Sequence, residues 1–146
     1  MQPSNPNQFT EKAWEAIAQT QDVAKAARQQ QIETEHLMKA MLDQDRLATS
    51  ILNKAEVSVP GVREATESFI KKQPKVSGNS DSVYLGRSMN SLLDRAESYR
   101  KEYQDDYISI EHLILAYLKD DRFGKSLFQE FKLDENRLKL TIADIR

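Results

Sequence analysis

Ile32-Glu33-Thr34-Glu35-His36-Leu37-Met38-Lys39-Ala40-Met41-Leu42 and Ile108-Ser109-Ile110-Glu111-His112-Leu113-Ile114-Leu115-Ala116-Tyr117-Leu118 carry one pattern twice, 76 residues apart (Ile32 to Ile108). The register extends outward from these stretches without a gap. Asp45, Arg46 and Ser50 fall on Asp121, Arg122 and Ser126. Where identity is lost, apolar character is kept: Ile17 on Leu93, Ile51 on Leu127, Leu52 on Phe128, Val57 on Leu133, Val62 on Leu138, Phe69 on Ile145. A chain that repeats itself in this way folds as two equivalent units.

Within each unit the apolar residues recur three and four positions apart, as in Ala13, Ile17, Ala24 and Ala27, which places them on one stripe of a helix. Strand-like alternation is nearly absent. Thr10, Ser58 and Asp134 precede helix-forming runs as N-caps, and Pro60 stands where a first turn accepts proline. The reading is an all-α fold, a tandem duplicated four-helix repeat of about eight helices related by a pseudo-two-fold axis. The helices are expected over 11–28, 34–43, 46–55 and 59–71, then 86–103, 110–119, 122–131 and 135–145. The expected organisation is a flexible N-terminal segment 1–8, repeat one over 9–71, a linker loop over 72–84 and repeat two over 85–146. The linker contains Gln73-Pro74-Lys75-Val76-Ser77-Gly78-Asn79-Ser80, the residues of a loop.

The 146 residues suffice to bury a core without disulfides or metals, and there is no cysteine. A net charge of −2 with 30% charged residues is an ordinary soluble surface and lacks the basic footprint of a nucleic-acid binder. No apolar run approaches the roughly 20 residues of a membrane span. The polar start Met1-Gln2-Pro3-Ser4-Asn5-Pro6-Asn7 is not a secretory signal, which makes the cytosol the expected compartment. The four glycines supply no phosphate-binding loop and no nucleophile elbow, so no catalytic residue, nucleotide or metal is expected in this chain.

Glu33-Thr34-Glu35-His36 has the Glu-x-x-His spacing of carboxylate-bridged metal bundles. The second half offers Ser109-Ile110-Glu111-His112, which lacks one carboxylate. The histidines are therefore read as packing residues in the first turns of equivalent helices, with Glu35 and Glu111 facing the positive end of the helix dipole. Tyr99 and Tyr103, four residues apart, share a face of the fifth helix as core or rim residues. The acidic cluster Glu102, Asp105 and Asp106 reads as a solvated helix end.

The duplicated phrases, together with Phe9-Thr10-Glu11-Lys12-Ala13 and the linker Gln73-Pro74-Lys75-Val76-Ser77-Gly78, closely resemble the N-terminal domain of the Clp family of AAA+ unfoldases, in its ClpB disaggregase branch, with a polar N-terminal segment similar to cyanobacterial members. The resemblance covers nearly the whole chain. It implies a domain that engages unfolded or aggregated polypeptides and passes them to an ATPase ring. In the full-length family protein it implies ATP, a homohexamer and cooperation with the DnaK chaperone system. It also implies site residues. The family's threonine at the first helix start matches Thr10, its acidic residue before the aromatic-Ile-Ser motif matches Asp105, and its second helix-start glutamate matches Glu111. The wall of its apolar groove aligns near Leu93, Tyr99 and His112, although some relatives have leucine at positions 95, 99 and 112. Two other functions fit the residues: adaptor docking, as in the ClpA and ClpC branches, and a bracing structural subunit.

The duplication sorts these residues. A residue demanded by the fold should recur in both halves. Glu111 recurs as Glu35, whereas Thr10 faces Gly86 and Asp105 faces Gln29. On that test Asp105 is assigned a purely functional role, and with Glu111 it would favour apolar segments that also carry Lys or Arg.

Overall fold

Three helices start where a side chain of the preceding residue makes the start favourable. Thr10 accepts from Ala13 N, Ser58 from Gly61 N and Asp134 from Arg137 N, which satisfies first-turn N–H groups that have no intrahelical partner. In the computed structural model, which describes residues 5–44, 46–77 and 82–146, these starts belong to α1 (Glu11–Ala26), α4 (Val59–Lys72) and α8 (Glu135–Ile145). The other helices are α2 (Thr34–Asp43), α3 (Leu47–Lys54), α5 (Arg87–Tyr103), α6 (Ile110–Ala116) and α7 (Gly124–Glu130). The fold is all-α, with four helices in each half at the expected places. The sixth ends three residues early, where Tyr117–Lys119 tightens into a 3-10 turn. Residues 1–4 and 78–81, parts of the expected N-terminal segment and linker, and Asp45, which falls between α2 and α3 in sequence, lie outside the described residues.

Four helices end on a non-glycine residue in the left-handed region: Arg28 and Gln104, Glu56 and Lys132, with φ of 60°, 58°, 63° and 58°. These are two pairs of repeat equivalents. Each closes the helix with the same paired bonds, for example Arg28 N to Lys25 O with Gln29 N to Ala24 O, and Gln104 N to Lys101 O with Asp105 N to Arg100 O. The duplication therefore extends to backbone conformation.

The halves are joined by reciprocal exchange. β1 (Gln31–Ile32) of repeat one pairs in parallel with β2 (Tyr84–Leu85), which leads into repeat two. Phe9, which leads into repeat one, forms the equivalent bridge with Ile108 of repeat two. Thr10 N donates to Ile108 O at 2.9 Å, and Gly86 N donates to Ile32 O at 2.9 Å. An operation that carries each half onto the other and returns the same contacts is a two-fold. These two-residue ladders escaped the alternation test because they are too short to show a period. Pro6–Gln8 forms a 3-10 turn, and Gln8 O accepts from Ile108 N, so the end of the expected flexible segment is tied to repeat two.

One apolar core runs through both halves. It includes Ile17, Leu37, Met41 and Leu52 of repeat one and Leu92, Leu113, Leu115 and Leu138 of repeat two. A buried polar junction crosses it. Tyr117 Oη donates to Thr34 O at 2.6 Å, and Thr34 Oγ1 donates to Asp120 Oδ2 at 2.6 Å. Every buried polar atom of that junction has a partner, as burial demands. Arg122 reaches across the repeats and grips the buried Glu35 carboxylate with two bonds of 2.9 Å.

Candidate functional site

The two histidines occupy one structural role in duplicate. The N–H of Glu33 donates to His36 Nδ1 at 2.9 Å, and that of Ser109 donates to His112 Nδ1 at 2.9 Å. Nδ1 is thus the acceptor and Nε2 carries the proton. His36 Nε2 donates to Gln29 Oε1 at 2.6 Å, and His112 Nε2 donates to Asp105 Oδ2 at 2.7 Å. Burial pushes both histidine pKa values down. The Glu-x-x-His spacing is therefore explained by helix capping.

This geometry corrects the reading of Asp105. Gln29 and Asp105 each stand one residue beyond the left-handed helix end and accept a hydrogen bond from the equivalent histidine. The position is required by the fold, and only its chemistry differs. Gln29 also donates its amide to Ile70 O at 2.8 Å. A carboxylate cannot donate, so Asp105 instead receives a donor from the equivalent position: Arg146, the counterpart of Ile70, bonds Asp105 Oδ2 at 2.6 Å and Oδ1 at 3.2 Å. The Arg146 guanidinium, then His112, holds the Asp105 carboxyl below its ordinary range. Arg146 also bonds Glu111 Oε1 at 2.6 and 2.9 Å and lies 4.8 Å over the Tyr103 ring.

Beside this cluster opens an apolar groove of about 470 Å³. Leu47 and Ile51 of α3, Ile110 of α6 and Ile145 of α8 form its apolar surface, and Thr10, Glu11 and Glu111 stand at its edge. Leu47 and Ile145 are each 43% exposed, unusual for large aliphatic side chains with neighbours to pack against. Their repeat counterparts, Phe123 and Phe69, pack on each other with ring centroids 4.8 Å apart, and Phe123 is 4% exposed. The same place is filled on one side of the two-fold and open on the other.

The difference has a local cause. Asp120 Oδ2 accepts from Phe123 N at 3.2 Å and Gly124 N at 2.8 Å, which draws the start of α7 inward and buries Phe123. Its counterpart Gln44 donates its side-chain amide to Lys12 O at 2.9 Å. The start of α3 has no side-chain cap, Arg46 takes φ of 82°, and Leu47 stays outside.

The structure thus brings Asp105, Glu111 and His112 into one cluster and sets Thr10 and Glu111 on one groove. It does not place Leu93, Tyr99 or His112 on the groove wall. Leu93 packs against the core, His112 is fully buried, and Tyr99 is 8% exposed with Lys139 5.7 Å over its ring. Tyr99 and His112 are covered by their own fold, and half-buried Leu93 lies outside the groove lining. Leu47, Ile110, Ile145, Tyr103 and Arg146 were missed. The signal for the groove was the swap of Phe69 and Phe123 for Ile145 and Leu47 at two equivalent positions.

A profile of the family described as "Clp repeat (R) N-terminal domain" matches residues 8–131. The chain belongs to the Clp N-terminal domain family. Along its whole length it is 67% identical to Chaperone protein ClpB 2 of Nostoc sp. and 60% identical to Chaperone protein ClpB of Gloeobacter violaceus. The chain spans 17% of the length of each of these relatives, corresponding to the N-terminal regions of cyanobacterial ClpB proteins. The Hsp104 N-terminal domain from Candida albicans shares the fold, with a TM-score of 0.82 at 21% identity, over 96% of this chain and 92% of that one. Among the described residues, no helix of this Clp N-terminal domain is long and apolar enough to cross a membrane.

Proposed function

We propose that this domain recruits substrate for a ClpB-type disaggregase by binding exposed apolar segments of unfolded or aggregated polypeptides in the groove between α3, α6 and α8. The observation that carries the reading is the open groove itself. On one side of the two-fold Phe69 and Phe123 close the equivalent place, whereas on the other Leu47 and Ile145 stay exposed beside Ile51 and Ile110. A fully buried apolar side chain gains roughly 1.5–3 kcal/mol, and ordering a disordered segment costs roughly 2–5 kcal/mol. Three side chains seated at the upper end of that gain leave about 4–7 kcal/mol, a dissociation constant on the order of 10–1000 μM. Weak binding suits a site that must release what it captures.

In this reading the domain itself catalyses nothing, and ATP belongs to other parts of the full-length protein. That protein works as a cytoplasmic homohexamer with the DnaK system, and several tethered groove copies raise the effective affinity by roughly 10²–10⁴. The test is a titration with an unfolded protein in the absence of any adaptor, followed by amide shifts. Leu47→Ser and Ile145→Ser alter exposed side chains and should leave the fold intact while weakening binding at least fivefold. Unchanged binding by both variants would remove the groove from the reading. Binding of a folded adaptor alone would move the function to adaptor docking.

A further inference from the structure

The acidic end of the groove is not free. Arg146 is bonded to Asp105 and Glu111, and its guanidinium is stacked on Tyr103. Tyr103 in turn meets the edge of buried His112, with ring centroids 5.7 Å apart, which fixes the tyrosine face toward Arg146. An aromatic face closed by carboxylates matches a planar, delocalised cation. It offers two in-plane acceptors and a π surface, an arrangement that an ammonium cannot use fully. Glu111 and the neighbouring Ile145 both line the apolar groove, so the cluster and the groove are one continuous surface.

The repeat shows that Arg146 is not demanded by the fold. Its counterpart Ile70 is buried and apolar. The counterpart of Glu111, Glu35, has no exposed side-chain surface and is neutralised from across the repeats by Arg122. Arg46, the counterpart of Arg122, makes no described bond to Glu111. Repeat two thus leaves its helix-start glutamate accessible, at 20% side-chain exposure, and covers it with an arginine that is itself 37% exposed. Such a contact is exchangeable, because water reaches both partners.

We propose that Arg146 is a built-in occupant of the groove's acidic end and that an arginine of an incoming apolar segment displaces it. The inference rests on the groove reading and adds both a ligand class and a regulatory contact. Segments with arginine beside apolar residues are selected over those with lysine or glutamine, and Arg146 sets a threshold that weak or uncharged segments do not meet.

The test uses the 146-residue chain, its Arg146→Ala and Arg146→Lys variants, N-acetyl-arginine amide, N-acetyl-lysine amide, and one apolar peptide made in Arg and Gln versions. The Arg146→Ala variant should bind N-acetyl-arginine amide and the Arg peptide about three- to tenfold more tightly than the parent chain, with shifts at Tyr103 and Glu111. Its affinity for the Gln peptide should stay within about twofold. Arg146→Lys should fall between the parent chain and Arg146→Ala, and it keeps the charge should Arg146→Ala disturb the end of α8. The inference is overturned if arginine amide binds no better to Arg146→Ala than to the parent, or if lysine amide binds as well as arginine amide. If the Gln peptide then still binds the groove, the groove reading survives the failure. If arginine amide binds and neither peptide does, the guanidinium site stands and the groove reading fails.

Discussion

Gln29→Ala should destabilise the chain more than Asp105→Ala, although Gln29 touches no part of the groove. Gln29 is 6% exposed and spans two buried groups. It accepts from His36 Nε2 at 2.6 Å and donates to Ile70 O at 2.8 Å. Truncation orphans the buried His36 Nε2–H and removes one of the two bonds to Ile70 O, which also accepts from Gln73 N at 3.2 Å. The unsatisfied buried donor costs about 1–3 kcal/mol and the lost amide bond about 0.5–1.5 kcal/mol, so the loss is about 2–4 kcal/mol. Asp105 also accepts from a buried histidine, but its side chain is 28% exposed and water can replace the carboxylate. Its surface-facing pair with Arg146 adds at most about 1 kcal/mol. Asp105→Ala should therefore cost about 1–2 kcal/mol. Urea denaturation followed by circular dichroism measures both, with an unchanged slope showing that the unfolded state is comparable. If Gln29→Ala costs under about 0.5 kcal/mol, or Asp105→Ala costs clearly more, the two positions are not a duplicated histidine clamp and the reasoning fails.

Other outcomes follow from the same contacts. Both histidines have folded pKa values pushed below 6.5 by burial, so the unfolded chain takes up protons first as pH falls. Their contribution is complete above about pH 6.5 and is lost down to the depressed folded values, at no more than about 1.4 kcal/mol per pH unit each. The melting temperature should fall between pH 7 and 5, and His36→Gln should flatten that slope; a pH-independent melt contradicts it. Asp105, held low by Arg146, adds a further loss below about pH 4 as its carboxylate is protonated. Arg122→Ala strands the Glu35 carboxylate, whose side chain has no exposure, and should cost about 3–5 kcal/mol; Glu35→Gln should cost less, because Arg122 remains 32% exposed and stays over Phe69. Equal melting temperatures for those two variants would contradict the asymmetry. Gly124→Ala puts a Cβ 2.5 Å from Tyr117 O, a backbone atom, and should lower stability by about 1–3 kcal/mol in the same denaturation assay.

Helix positions were legible because they rest on local chemistry, caps such as Ser58 and Asp134 and a three-to-four periodicity that a fixed offset preserves. The histidines were legible as first-turn residues for the same reason. Asp105 was misread because alignment of the halves compares identities, while the fold requires only an acceptor for the histidine at that position. Gln29 accepts from His36 and donates to Ile70 O, whereas Asp105 only accepts, from His112 and from Arg146. Arg146 left no signal, since its counterpart is Ile70. The reciprocal Phe9–Ile108 and Leu85–Ile32 contacts were also hidden, because a ladder of one or two residues has no period.

The groove follows from how duplication relaxes constraint. Two equivalent halves must both bury Ile51 and Leu127, Leu52 and Phe128, Val62 and Leu138, and both do so. At the edge only one half retains the acidic cap that pulls a helix start inward: Asp120 holds Phe123 against Phe69, and Gln44 turns to Lys12 O instead. The polar lock Thr34–Tyr117–Asp120 lies on that same closed side, and its counterparts Ile110, Met41 and Gln44 cannot form it. Rigidity is thus concentrated where the halves are locked, and apolar surface is left accessible where they are not. A symmetric dimer of identical units could not be locked on one side and open on the other, whereas a fused duplicate can.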